Sequence, residues 1–194
     1  VAQAIADDAQ DAFSLTIKKN SVAVISDGSE VLGLGDAGPM AALPVLESKA
    51  IFFQEFAGVD AFPICLSVGS DAEFMAAVRA IAPTFGAIHL EDIASPRCFV
   101  VEKELDETLN IPVMHNDQHG TAIAVLAALI NALRVVSKPV ATVRVVVNGI
   151  SPAAVATVRL LQAYGARDVI VCDEKGALTA ARAAEWDERD PFLA

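Results

Sequence analysis

The chain has 194 residues, enough for one large domain or two small ones with a real core. A formal charge of −11 excludes the basic footprint that nucleic acid requires, but not a small anion held by a metal and local cations. Hydrophobic residues make up 54%, yet the longest apolar run, Thr121 to Leu133, is shorter than a membrane span and reads as a buried helix. No charged segment followed by an apolar one opens the chain, so nothing in it reads as a secretory leader. Cys65, Cys98 and Cys172 lack metal-type spacing and read as small hydrophobes in a reducing, cytoplasmic setting.

Taken in order, Val1 to Ala12 is rich in alanine and acids and predicts a helix, with Ile17 to Asn20 as its exit. Ser21 to Ser26 is a β-branched strand candidate, and Asp27-Gly28 a turn. Gly33, Gly35 and Gly38 could let the backbone approach a ligand. No acidic strand end follows at dinucleotide distance, which favours glycine-dependent packing. Lys49 precedes the apolar run Ala50 to Phe53, where a lysine ordinarily snorkels to the surface. Phe62 to Leu66 predicts a buried strand, and Asp71 to Ala82 an amphipathic helix with Asp71 as its candidate cap.

Ala87 to Leu90 predicts a strand that ends in Glu91 and Asp92, with His89 pointing away from its neighbours as a packed histidine. A second apolar run, Ile111 to His115, leads into Asn116, Asp117, Gln118, His119 and Gly120, ahead of a helix from Thr121 to Val136. Ligands of a parallel α/β sheet sit outside the carboxyl ends of its strands. Glu91, Asp92 and Asp117 on neighbouring strand ends would give three hard oxygen donors, suited to Mg²⁺ or Mn²⁺ with positions left open for substrate. Taken alone, Glu91-Asp92 reads more readily as a helix-capping turn; the pairing with Asp117 on another strand end is what favours a metal. His115 and His119 are not needed by such a site.

Lys138-Pro139 is a natural boundary after the long helix. Val143 to Val147, Ala153 to Tyr164 and Val169 to Cys172 then predict a strand, a helix and a strand ending in Asp173. Asp173 lies 24 positions beyond Gly149 (173 − 149), where a ribose-binding carboxylate belongs, and an acid there favours NAD over NADP. The candidate phosphate loop runs Gly149-Ile-Ser-Pro-Ala-Ala154. Ala154 is acceptable at its position. Ser151 puts a side chain where a pyrophosphate needs close backbone approach, and Pro152 removes an amide while suiting a first helical turn.

Leu90–Ile93 (LEDI) and Pro112–Ala122 (PVMHNDQHGTA) resemble the two metal-site segments of the malic enzymes in their short bacterial form. Val31–Asp36 (VLGLGD), Pro44–Lys49 (PVLESK) and Val59–Cys65 (VDAFPIC) resemble the same family's upstream block, and the similarity runs from Val1 to about Asp173. The resemblance implies an α/β fold. A parallel-sheet substrate and metal domain would occupy residues 1–137, and the first part of a Rossmann-like nucleotide domain residues 138–194. It also implies oxidative decarboxylation of malate to pyruvate by a cytoplasmic homodimer. Lys49 would be the base, Glu91, Asp92 and Asp117 the ligands of Mg²⁺ or Mn²⁺, and Gly149, Ser151, Ala154 and Asp173 the contacts of NAD or NADP. No nucleic acid or membrane partner is implied.

This chain departs from the family at several points. Relatives often have Gly where Ser48 stands, Asp-Asp for Asn116-Asp117, and Gly-Ala-Gly-Ala-Ala-Gly for residues 149–154. The family's general-acid tyrosine belongs to a segment upstream of Val1, and Tyr164 lies elsewhere in the pattern, so the chain reads as truncated at both ends. Two alternatives follow: a catalytically incompetent binding or dimerisation module, and a nucleotide-independent oxaloacetate decarboxylase.

Overall fold

In a computed structural model, residues 1–185 are described; residues 186–194, the tail of the second expected domain, lie outside them. The chain divides into two compact units, Val1–His115 and Asn116 onward.

The first unit is built on β1 (Ser21–Ser26), whose six residues are all buried. β2 (Asp60–Cys65) lies on one side of it, and β3 (Ala87–Leu90) then β4 (Val113–His115) on the other, in the order β2-β1-β3-β4, all parallel. Alternation along β1 supplies both faces of the sheet. Ala23 and Ile25 join Phe74, Val78, Leu90, Cys98, Val101 and Leu105 in one core cluster. Val22 and Val24 join Val31, Ala42 and Leu46 in the other. Each fully buried Val, Leu, Ile or Phe among them contributes about 1.5–3 kcal/mol. β2 is an edge strand, which leaves Phe62 exposed and Pro63 to Cys65 only half-buried where a buried strand, Phe62 to Leu66, was expected.

The helices cover the two faces. The expected amino-terminal helix is interrupted. α1 (Ala2–Asp7) stops at Asp8, whose extended backbone lets its side chain accept the Gln10 N–H, and α2 (Ala12–Leu15) follows a 3₁₀ turn. α3 (Pro39–Ala57) takes in Lys49 and carries Pro44 internally; left-handed Gly58 ends it. α4 (Asp71–Ile81) is capped by Ser70, not Asp71: the Ser70 hydroxyl accepts the Glu73 N–H while Glu73 Oε2 accepts the Gly69 N–H. α5 (Arg97–Thr108), which sequence reasoning did not foresee, buries Cys98, Val101 and Leu105 at spacings of three and four.

In the second unit α6 (Asn116–Val135) begins five residues earlier than expected and packs on α7 (Pro152–Tyr164). β5 (Arg144–Asn148) pairs in parallel with β6 (Asp168–Asp173), and β7 (Gly176–Ala177) returns antiparallel against β6. The expected burial of α6 is confined to Gln118 and Ala122. With residues 116–120 included, its 20 residues are long and apolar enough to cross a membrane by length and composition. It nevertheless carries Asp117 in its first turn and Arg134 in its last. The architecture is α/β with a parallel four-stranded sheet, as the sequence pattern implies.

Candidate active site

From β1 the chain moves outward to β2, then crosses back over β1 to form β3 on its other side. This reversal makes the carboxyl ends of β1 and β3 a topological switch point, where open parallel sheets bind ligands. Glu91 and Asp92 leave β3 there and are buried, at 3% and 4% exposure. The Glu91 N–H still bonds the Ile25 carbonyl at 3.0 Å, so the sheet itself fixes where that carboxylate starts.

Burying a carboxylate is costly unless a cation or donor accompanies it. Glu91 has both. Lys49 Nζ lies 3.2 Å from Glu91 Oε1, and His89 Nε2 lies 2.7 Å from Oε2. Lys49 is therefore drawn inward from α3, not snorkelled outward. His89 does point opposite to Leu90, but residues two apart on a strand share a face, and that brings its ring to Glu91. The edge of Phe53 holds the same imidazole, with centroids 5.3 Å apart. Alternation was the signal that could have found the His89–Glu91 pair.

The loop after β1 closes over this strand end. Gly28 has φ +70, and a Cβ there would lie 2.1 Å from the Gly38 carbonyl oxygen. Gly33 and Gly35 have open space where a Cβ would be, so positive φ explains them better than packing or ligand approach. Beside the loop, at the ends of β1 and β2, lies a cleft of about 320 Å³ lined by Asp27, Ser29, Asp71 and Arg97 among others. Arg97 donates to Asp27 Oδ2 and to Asp71 Oδ1, each at 2.5 Å. Those hydrogen bonds, opposed by burial, hold its guanidinium above its ordinary value. Arg97 and its partners escaped sequence reasoning.

β4 delivers the third acidic residue. Its last residue, His115, is the register partner of Leu90, the residue before Glu91, and its N–H donates to Glu102 Oε1 at 2.7 Å. Asp117 follows His115 by two positions in the first turn of α6. Neighbouring strand ends thus lead into Glu91-Asp92 and Asn116-Asp117.

In the second unit, Gly149 follows β5 with φ +122 and donates its N–H to the Cys172 carbonyl at 2.7 Å. Ser151 caps α7: its hydroxyl accepts the Ala154 N–H at 3.3 Å, and Pro152 opens the helix. Asp173 ends β6, where Arg182 donates to both carboxylate oxygens at 2.7 and 3.1 Å and the Lys175 N–H adds a bond at 2.8 Å. Chiefly through Arg182, the Asp173 carboxyl is held below the usual carboxylate range.

The malic enzyme N-terminal domain profile matches residues 4–73. The NAD-dependent malic enzyme of Geobacillus stearothermophilus is 56% identical over 92% of this chain and 37% of its own length. The NADP-dependent malic enzyme of Escherichia coli is 47% identical over 92% of this chain and 24% of its own. The crystal structure of the NAD-dependent malic enzyme of Thermotoga maritima superposes on the whole chain with a TM-score of 0.94 at 45% identity, using 52% of that structure. The chain thus spans between a quarter and about half the length of these relatives. About half of its residues are identical to those of named malic enzymes along nearly its whole length, and its fold matches theirs: the chain belongs to the malic enzyme family.

Proposed function

We propose that the chain is the substrate-binding and first nucleotide-binding part of an enzyme that converts malate to pyruvate and CO₂, reducing NAD⁺ or NADP⁺ and requiring Mg²⁺ or Mn²⁺. The observation that carries this reading is the Lys49–Glu91–His89 cluster at the switch point, with Asp92 beside it and Asp117 just beyond the neighbouring strand end. Glu91, Asp92 and Asp117 each offer a carboxylate oxygen. Such a sulfur-free set of hard donors fits Mg²⁺ or Mn²⁺. The ion, when bound, supplies Lewis-acid stabilisation of the negative charge that develops on substrate oxygen.

Lys49 is placed to take the hydroxyl proton of malate as hydride leaves C2 for the nicotinamide. The C3–C4 bond then breaks, CO₂ departs, and the electron pair passes to C3, which takes a proton to give pyruvate. A cation on Glu91 would compete with Lys49 for the same carboxylate and free Nζ to face substrate. Asp173 and the α7 amino end would hold the nucleotide, with the acidic end favouring NAD. Assembly as a homodimer belongs to the same proposal; the exposed Ile51, Phe52 and Phe56 of α3 are apolar surface that a second copy would cover.

A second reading rests on the α7 loop. Ser151 already satisfies the Ala154 amide and Pro152 lacks one, so the loop offers a pyrophosphate fewer donors. That favours decarboxylation of oxaloacetate without nucleotide. The test is malate-dependent reduction of NAD⁺ and NADP⁺ with Mn²⁺, read by nicotinamide absorbance beside Lys49→Ala. Absent reduction with sustained oxaloacetate turnover would replace the first reading with the second. Absence of both would leave a binding module.

A further inference from the structure

The loop between β1 and α3 does more than cover the strand end. Asp92 has φ +53, a left-handed backbone that aspartate adopts more readily than most residues but still at some cost, so the hydrogen bonds beside it help to fix it. Its carbonyl accepts the Glu30 N–H at 3.2 Å and the Ser26 hydroxyl at 3.4 Å. Two residues on, the Ala94 N–H donates to Ser29 Oγ at 2.9 Å. The backbone from the Asp92 carbonyl to the Ala94 amide is therefore pinned by one short segment, Ser26 to Glu30, at the end of β1 and the start of its loop.

Ser29 is the fixed point of that segment. Its hydroxyl donates to Asp27 Oδ1 at 2.7 Å and accepts from Arg97 Nη1 at 3.0 Å as well as from Ala94, which uses its one donor and both lone pairs. Arg97 in turn is anchored to Asp27 in the β1 loop and to Asp71 at the start of α4. Every partner that could rotate the hydroxyl is itself fixed. None of these groups needs to touch a metal or substrate to matter.

We propose that Ser29, held by Asp27 and Arg97, is a positioning residue that sets the backbone of Asp92 and thereby aims its carboxylate at the divalent-metal site. The assignment rests on the metal reading given above and extends it to a residue outside the ligand set. Groups that orient ligands in this way typically change metal affinity by about 10–100-fold when removed.

Mn²⁺ is the probe, titrated into the full chain and followed by the electron paramagnetic resonance of the free ion. Melting in EDTA is measured in parallel. Ser29→Ala is expected to weaken Mn²⁺ binding about 10-fold, while the protein still melts cooperatively in EDTA, about 6–12 °C lower, the shift that loss of the three hydrogen bonds of that hydroxyl gives a chain of this size. Ser29→Thr keeps the hydroxyl and should restore affinity. Ser29→Cys, nearly isosteric but a poor acceptor, should reproduce the loss if the alanine variant does not fold. Wild-type binding with unchanged affinity in both the alanine and cysteine variants overturns the positioning role and leaves the metal reading intact. Affinity that stays low in Ser29→Thr although its EDTA melting is restored also overturns it. A wild-type chain that binds no Mn²⁺ overturns the metal reading and the positioning role together.

Discussion

Glu91 is nearly sealed from solvent, yet it faces two potential cations, Lys49 at 3.2 Å and His89 at 2.7 Å. Lys49 is about a quarter exposed, so one end of the pair stays open to a ligand while the other is anchored. Removing Lys49 should therefore separate catalysis from metal binding. Lys49→Ala is expected to lower kcat by about 10²–10⁴-fold, the usual worth of a positioned base, with Mn²⁺ affinity unchanged or slightly higher because a competitor for Glu91 is gone. Equal losses in kcat and Mn²⁺ affinity would make Lys49 a structural partner of Glu91, not the base. Asp173 offers a pH-dependent test in the other unit. Its folded carboxyl lies below the ordinary value because of Arg182. Its contribution to stability is thus present above the unfolded value and is lost as pH falls through the lower folded one. Carbon-13 titration of the Asp173 carboxyl should give a midpoint below that of an unstructured aspartate, and Arg182→Ala should raise it. An unchanged midpoint in Arg182→Ala would remove Arg182 as the cause.

At the scale of elements, the α7 amino end shows one residue type serving two demands. Ser151 is a good helix cap, whereas in a phosphate loop its side chain would crowd the close backbone approach that a pyrophosphate needs. Ser151→Gly should cost only a few tenths of a kcal/mol, since glycine is itself an acceptable cap. The variant should bind NADH more tightly, read by the increase in nicotinamide fluorescence on titration. Weaker binding than wild type would mean that the Ser151 hydroxyl itself contacts the nucleotide. The same elements show what periodicity could and could not reveal. β1, β3 and α7 were legible because apolar and β-branched residues there match a single period. α5 was not, since Lys103, Glu102, Glu104, Asp106 and Glu107 dilute its three buried positions. The start of α6 was hidden because Asn116 to Gly120 is made of residues that elsewhere favour turns. The strand-end acids of β3 could be read directly. Arg97 and Ser29 could not, because the bonds that join the β1 loop to Ala94 and Arg97 span 65 to 70 positions and only folding brings those residues together.

Across the whole chain, the two units differ in how completely their sheets are enclosed. β1 is buried at all six positions between two core clusters, and β3 at three of its four. β5 alternates between exposed and half-buried residues, and Val146 is 59% exposed although its sequence reads as a continuous β-branched run. Apolar composition thus placed β5 as a strand, but its burial depends on what packs against it, which composition alone does not specify. Local stability follows this enclosure, because an amide exchanges when its hydrogen bond opens to water and opening is cheapest where little apolar surface is lost. Hydrogen exchange followed by mass spectrometry should therefore find the amides of β1 and β3 slowest, with those of β5 and β7 exchanging well before them. Adding Mn²⁺ should slow exchange around Glu91 and Asp92 further, since a ligand that binds only the folded state stabilises what it touches. β5 amides as protected as those of β1 would show that the second sheet is enclosed in solution by surface beyond these described residues. Equal exchange around Asp92 with and without Mn²⁺ would instead count against the strand-end carboxylates as the place where the ion is held.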